Sequence, residues 1–199
     1  EIRLSLVGSE MCIRDSLFPA EALAHELTRR GHEVHLATDE RAGRFSGGFP
    51  AAETHIVPSA TFGSRNPVAV ARSLLKLWTG LRTASALLRR LKPDVTIGFG
   101  GYPSVPPVLS ATQAGWPSMI HEQNAVMGRA NRFLARRVGR IAAGIPQDKA
   151  PAELRDKIVV TGNPVRPAVL EAAKTPYRPS ASGEAFNLCL LYTSPSPRD

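Results

Sequence analysis

Short runs of apolar and β-branched residues alternate with longer segments whose apolar residues recur at helical spacing, from residue 17 to residue 173. This alternation constrains the fold more than any other feature, because parallel strands need long crossovers and helices supply them. Ala20, Leu23, Ala24 and Leu27 mark a helix over residues 20–30, which Gly31 stops. Val34, Leu36 and Thr38 alternate as a strand, residues 43–48 read as a loop, and residues 54–57 form a second strand closed by Pro58. Pro67 is well placed to open a helix that runs to residue 91 and ends at Lys92-Pro93-Asp94. Further strands are expected at residues 95–97, 117–120, 140–143 and 157–161, with helices at 105–114, 128–137 and 167–173. Residues 175–183 are rich in Pro and Ser and read as a linker. The expected class is α/β, a Rossmann-like parallel sheet with helices on both faces. Ligands of such sheets bind at the carboxyl ends of the strands, so chemistry is sought there.

The charge balance narrows the partners. A net charge of +8 points to something anionic: a phosphorylated substrate, an acidic membrane surface or nucleic acid. Nucleic-acid binding calls for basic residues interleaved with stacking aromatics, and aromatics make up only 6% of the chain and are scattered, so no nucleic-acid partner is expected. No apolar run approaches the roughly 20 residues of a membrane span. The N-terminus shows no signal-peptide pattern, so a cytoplasmic location is expected. No GxGxxG follows a native first strand, which counts against a nucleotide-dependent dehydrogenase. No ligand cluster at metal spacing is legible, so no metal and no cofactor are expected.

The two ends read as foreign. Residues 10–15 (EMCIRD) can be back-translated so that the opposite DNA strand encodes residues 189–194 (CLLYTS). Residues 5–9 relate to residues 195–199 in the same way, and the shared DNA resembles a sequencing-library adapter. Residues 1–16 and 189–199 are therefore expected to be non-native, although the first seven mimic a strand. The basic excess survives without them. Both cysteines, Cys12 and Cys189, fall in these ends, so no disulfide or thiol chemistry is expected of the remainder.

Three polar stretches follow expected strands. Residues 98–104 (GFGGYPS) include glycines that leave backbone amides open to an anion, ahead of a helix whose positive end points the same way. Residues 121–124 (HEQN) set four hydrogen-bonding side chains in a row, which suits a sugar or a base; His121 is either a general base or a structural hydrogen-bonding residue. Residues 162–166 (GNPVR) end in Arg166, a planar cation suited to phosphate or carboxylate, or to a surface ion pair.

Taken in order, LFPA at 17–20, GGYPSVPP at 100–107, HEQN at 121–124, GRANR at 128–132 and GNPVRP at 162–167 closely resemble the MurG family of peptidoglycan glycosyltransferases. The resemblance covers essentially all of residues 17–188. It implies the N-terminal half of a two-domain GT-B glycosyltransferase, with residues 17–173 as the acceptor-binding domain. Residues 174–188 would be a linker and the start of a donor domain. It implies inverting transfer of N-acetylglucosamine from UDP-N-acetylglucosamine to lipid I, giving lipid II, on the cytoplasmic face of the bacterial inner membrane. Asn124 and Arg166 match donor-binding positions. Gly100, Gly101, Tyr102, Ser104 and Asn131 match positions for the acceptor and its diphosphate, and His121 and Glu122 match cleft positions assigned here to catalysis. The family's first Gly-rich loop should precede Leu17, but Arg14 and Asp15 stand at glycine positions and Ser16 where a proposed histidine base belongs. The chain as written is therefore expected to be inactive. The alternatives are another GT-B enzyme with a lipid acceptor, such as a diacylglycerol glycosyltransferase, or a non-enzymatic basic membrane-binding domain.

In the helix over residues 67–91, Val70, Leu74, Leu77, Leu81, Ala84 and Leu88 form the expected core stripe. Ala71, Leu75 and Trp78 flank it, bordered by Arg72, Arg82 and Arg89 with Arg65 and Lys76 nearby. An apolar strip rimmed by cations suits an anionic inner-membrane surface.

Overall fold

The computed structural model describes residues 3–7, 13–40, 48–60 and 66–176, with side chains from residue 17 onward. The expected loop at 43–48 (apart from Gly48), Arg65, most of the 175–183 linker, both cysteines and residues 189–199 lie outside the described residues, as do the side chains of Arg14, Asp15 and Ser16.

Seven strands form one parallel sheet in the order β3-β2-β1-β4-β5-β6-β7. They are β1 (Arg3–Val7), β2 (Glu33–Thr38), β3 (Glu53–Ile56), β4 (Val95–Gly98), β5 (Ser118–Glu122), β6 (Arg140–Ala143) and β7 (Ile158–Val160). Residues 3–7 form a strand at the centre of the sheet, between β2 and β4. The helices are α1 (Ile13–Arg29), α2 (Pro67–Leu91), α3 (Val105–Gln113), α4 (Arg129–Ala135) and α5 (Pro167–Ala173).

Alternation along the strands sends successive residues to opposite faces. Leu36 joins Ala20, Ala24, Ile97 and Phe99 under α1, whereas its neighbour Ala37 packs with Ala84, Leu87 and Leu91 of α2. Ile120 and Ile141 meet Val108 of α3 and Leu134 of α4. Right-handed crossovers explain the division: the chain runs one way from β1 to β3 and the other from β4 to β7, so the helices fall on two faces.

Asn66 caps α2 by accepting the Val68 N–H at 2.9 Å, and Lys92 ends it at φ 47° with its N–H on the Leu88 carbonyl. Gly80 lets this helix approach closely, because a Cβ there would overlap the Pro58 carbonyl. The expected core stripe holds only in the second half of the helix. Ala84 and Leu88 are buried and Leu77 and Leu81 half-buried, but Val70 and Leu74 are exposed. Helical spacing marks a stripe; it does not say whether anything lies beneath it.

The chain divides into a unit spanning Glu1–Pro167 and a second spanning Ala168–Asp199, so α5 falls largely outside the unit that holds the sheet. Within the second unit, none of the α5 residues is buried, and Lys174 pairs with Glu171 at 2.6 Å.

Candidate functional site at the carboxyl rim of the sheet

The rim is built from the ends of β4, β5, β6 and β7. After β4, Gly100 and Gly101 take left-handed conformations at φ 85° and 73°. A Cβ on Gly100 would sit 3.3 Å from Asn131 Nδ2, so glycine also lets α4 come close. Tyr102 opens a 3-10 turn, and Ser104 is buried with its hydroxyl on the Gly101 carbonyl at 2.7 Å. Ser104 therefore braces the loop from inside. The expected helix-end contribution is weaker than the sequence implies. Pro103, Pro106 and Pro107 carry no N–H, and the N–H groups of Ser104 and Val105 go to Gly101 and Tyr102 carbonyls. An anion here would meet the amides of the glycine pair instead.

HEQN departs from the expected loop in its first half. His121 and Glu122 are the last two residues of β5, and both are buried. Burial of a carboxylate requires partners, and Glu122 has four: Oε1 accepts from the backbone N–H and Nδ2 of Asn124, and Oε2 from the Gly128 N–H and Asn131 Nδ2, at 2.9–3.3 Å. Asn131 Nδ2 also donates to the His121 carbonyl at 3.1 Å. One carboxylate thus organises the whole segment from Asn124 to Asn131.

His121 Nε2 lies 3.3 Å from the Gly162 carbonyl. A carbonyl only accepts, so Nε2 carries the proton and Nδ1 the lone pair. Nδ1 is buried and has no hydrogen-bond partner among the described residues. Desolvation pushes the imidazole pKa down, opposed in part by the Gly162 hydrogen bond and the Glu122 charge. The ring tilts against Phe99, centroids 5.4 Å apart, and borders a pocket of about 320 Å³ lined also by Leu23, Met119, Ala142 and Asn163.

The loop after β7 completes the rim. Gly162 has φ 76°, and Asn163 Oδ1 occupies the space a Cβ on Gly144 would need. Arg166 lies over the Phe18 ring at the start of the described side chains of α1. The structure thus joins the glycine loop, β5 and the Gly162 loop through Asn131 and His121. Asn124 is exposed on the same rim.

Two features were missed in the sequence. Gln147 donates from Nε2 to the Asn124 carbonyl at 2.6 Å and to the Ile145 carbonyl at 3.1 Å; its only sequence signal was a polar residue in the loop after β6. The other lies away from the rim. Among the described residues, His35, Glu53 and His55 come close enough to share a cation. Parallel register brings them together, with His35 beside Glu53 and Ala37 beside His55. The contacts also close without an ion: Arg90 reaches His55 Nδ1 at 3.5 Å, His55 Nε2 is 3.2 Å from His35 Nδ1, and His35 Nε2 is 2.6 Å from Glu33. Donor and acceptor alternate along that series.

Residues 16–143 match the glycosyltransferase family 28 N-terminal domain. The chain is 63% identical over 175 residues to the UDP-N-acetylglucosamine--N-acetylmuramyl-(pentapeptide) pyrophosphoryl-undecaprenol N-acetylglucosamine transferase of Rhizobium johnstonii, which covers 88% of this chain and 46% of that protein. It is 61% identical to the protein of the same name from Agrobacterium fabrum, with the same coverage. The chain thus spans about half the length of the curated relatives it matches. Among solved structures, Acinetobacter baumannii MurG superimposes with a TM-score of 0.62 at 27% identity, covering 76% of this chain and 43% of that one. The UDP-GlcNAc 2-epimerase of Methanocaldococcus jannaschii shares the fold, with a TM-score of 0.59 at 16% identity, 81% of this chain and 46% of that one.

Proposed function

Because the chain belongs to glycosyltransferase family 28, as an N-terminal domain of that family, we propose that it forms the acceptor-side half of an inverting N-acetylglucosaminyltransferase. The donor is UDP-N-acetylglucosamine and the acceptor is lipid I. The 4-hydroxyl of the acceptor's N-acetylmuramoyl sugar attacks the anomeric carbon, the bond to the diphosphate oxygen breaks, and UDP leaves. A base takes the hydroxyl proton, and dipoles and cations stabilise the charge gathering on the leaving diphosphate.

The residues divide by what they present. The Gly100 and Gly101 amides, beside Tyr102, face the acceptor diphosphate. Asn124 and Arg166 face the donor. His121, Glu122, Asn131 and Ser104 hold these groups in place: Glu122 has both oxygens engaged, and the lone-pair nitrogen of His121 is buried. Proton removal then falls to another group. The observation that carries this reading is the joining of the three loops at one rim, with Asn131 against Gly100 and on His121 and Glu122, and His121 on Gly162.

The test is product formation from UDP-N-acetylglucosamine and a lipid I analogue by the full-length enzyme carrying this domain. Arg166→Ala and Asn131→Ala are expected to lower kcat/KM by about tenfold or more, as loss of a charge-assisted contact does. Absence of lipid-linked disaccharide from the parent enzyme overturns the assignment.

We further propose that the domain rests peripherally on the anionic cytoplasmic face of the inner membrane. Among the described residues no helix is long and apolar enough to cross a membrane. What supports contact with its surface is the first half of α2, where Val68, Leu74, Leu75 and Trp78 are exposed beside Arg72, Lys76 and Arg82.

A further inference from the structure

Asn124 is held at three of its four polar groups. Its N–H and its Nδ2 both donate to Glu122 Oε1, at 3.0 and 3.3 Å, and its carbonyl accepts from Gln147 Nε2 at 2.6 Å. Because a carboxylate only accepts, the amide nitrogen must face Glu122 and Oδ1 must face away. Asn124 is exposed at the rim, so the group it offers a ligand is an acceptor, Oδ1. Gln147 is itself fixed, since Nε2 also donates to the Ile145 carbonyl, and Gly144 ties the same loop to the end of β5 by donating to the Glu122 carbonyl at 2.8 Å.

We propose that Gln147 is a positioning residue of the donor site. With Glu122 it fixes Asn124 so that Oδ1 accepts a hydrogen bond from a hydroxyl or amide N–H of the sugar carried by the nucleotide. This rests on the transferase reading above. Glu122 holds the N–H and the side chain of Asn124 but not its carbonyl, and Ala125 and Val126, which follow, are exposed. Gln147 supplies the missing restraint from the loop after β6, and a small displacement of an orienting group is enough to lose alignment with the sugar.

The full-length enzyme carrying this domain tests the assignment through Gln147→Glu, Gln147→Ala and Gln147→Lys. The glutamate keeps the size but sets a carboxylate against the Asn124 carbonyl; the lysine keeps an N–H donor. In the first two variants KM for UDP-N-acetylglucosamine is expected to rise about tenfold, the scale of one displaced hydrogen bond. Inhibition by UDP, which lacks the sugar, should stay within about twofold of the parent, as should kcat and the Gln147→Lys variant. An unchanged KM in Gln147→Glu overturns the inference. So does an equal weakening of UDP inhibition, which would mark general damage to the site. A parent enzyme that forms no product sinks the transferase reading itself, and this inference with it.

Discussion

Arg166 sets its guanidinium carbon 3.8 Å from the centroid of the Phe18 ring, fastening the loop after β7 to α1. The contact unites the last of the five family-like motifs, GNPVRP, with the first, LFPA. A cation over an aromatic face contributes about 0.5–1 kcal/mol at a partly exposed site. Phe18→Leu should therefore lower unfolding free energy by about that amount beyond the loss of buried area, and Arg166→Lys by less, since an ammonium keeps the cation and loses only the planar stack. Urea unfolding of the two variants and their double mutant gives the coupling; strictly additive effects would show that the contact contributes nothing.

Glu122 is the most connected side chain of the rim, and its removal should be costly. Glu122→Ala leaves four donors without their acceptor, the Asn131 amide among them in a buried place, a loss of about 3 kcal/mol. Glu122→Gln turns one acceptor into a donor that faces other donors, so it should also destabilise, by about 1–2 kcal/mol. A wild-type denaturation midpoint for Glu122→Gln would mean the loop rearranges without difficulty.

Acid should weaken the fold through His121 and His55, whose pKa values burial lowers from 6.5. The unfolded chain then binds more protons than the folded one below pH 6.5, so stability rises with pH between the folded and unfolded values. Denaturant midpoints are expected to be flat above neutrality and to fall as pH drops below 6.5. Replacing His121 by Asn should remove part of that slope. A midpoint that climbs on acidification through this window would contradict the assignment.

Trp78 is 52% exposed and Leu75 61%, so charge can be introduced there without unfolding the domain. Arg82 already stacks over the Trp78 ring, its guanidinium carbon 4.6 Å from the centroid. Trp78→Glu should cut partitioning onto anionic vesicles by about tenfold through lost apolar contact and added repulsion. Equal flotation of parent and variant would end the membrane reading.

Much of the fold could be read from the chain, because the strands and helices after residue 33 are marked by local periodicity and by Gly and Pro. The misplacements have physical causes. Helix α1 begins at Ile13 rather than at the expected residue 20, and carries Pro19 inside it. Strand β5 runs on through His121 and Glu122, although both are polar, because Asn124, Gly128 and Asn131 satisfy the Glu122 carboxylate and the Gly162 carbonyl takes the His121 Nε2–H. Their partners lie in other elements, so no local pattern could disclose that these side chains were burial-competent.

The sequence by itself determined the alternating elements, the parallel sheet they demand and the three motifs at strand ends, because spacing and backbone chemistry act over a few residues. Only the tertiary structure decided which polar groups meet. Gln147 reaches Asn124 across 23 residues, and His55 reaches His35 across 20, because strand register brings them side by side. It likewise decided that the first half of α2 is bare and the second buried. A helix's own period states which residues share a face, while burial depends on what the rest of the chain places against it.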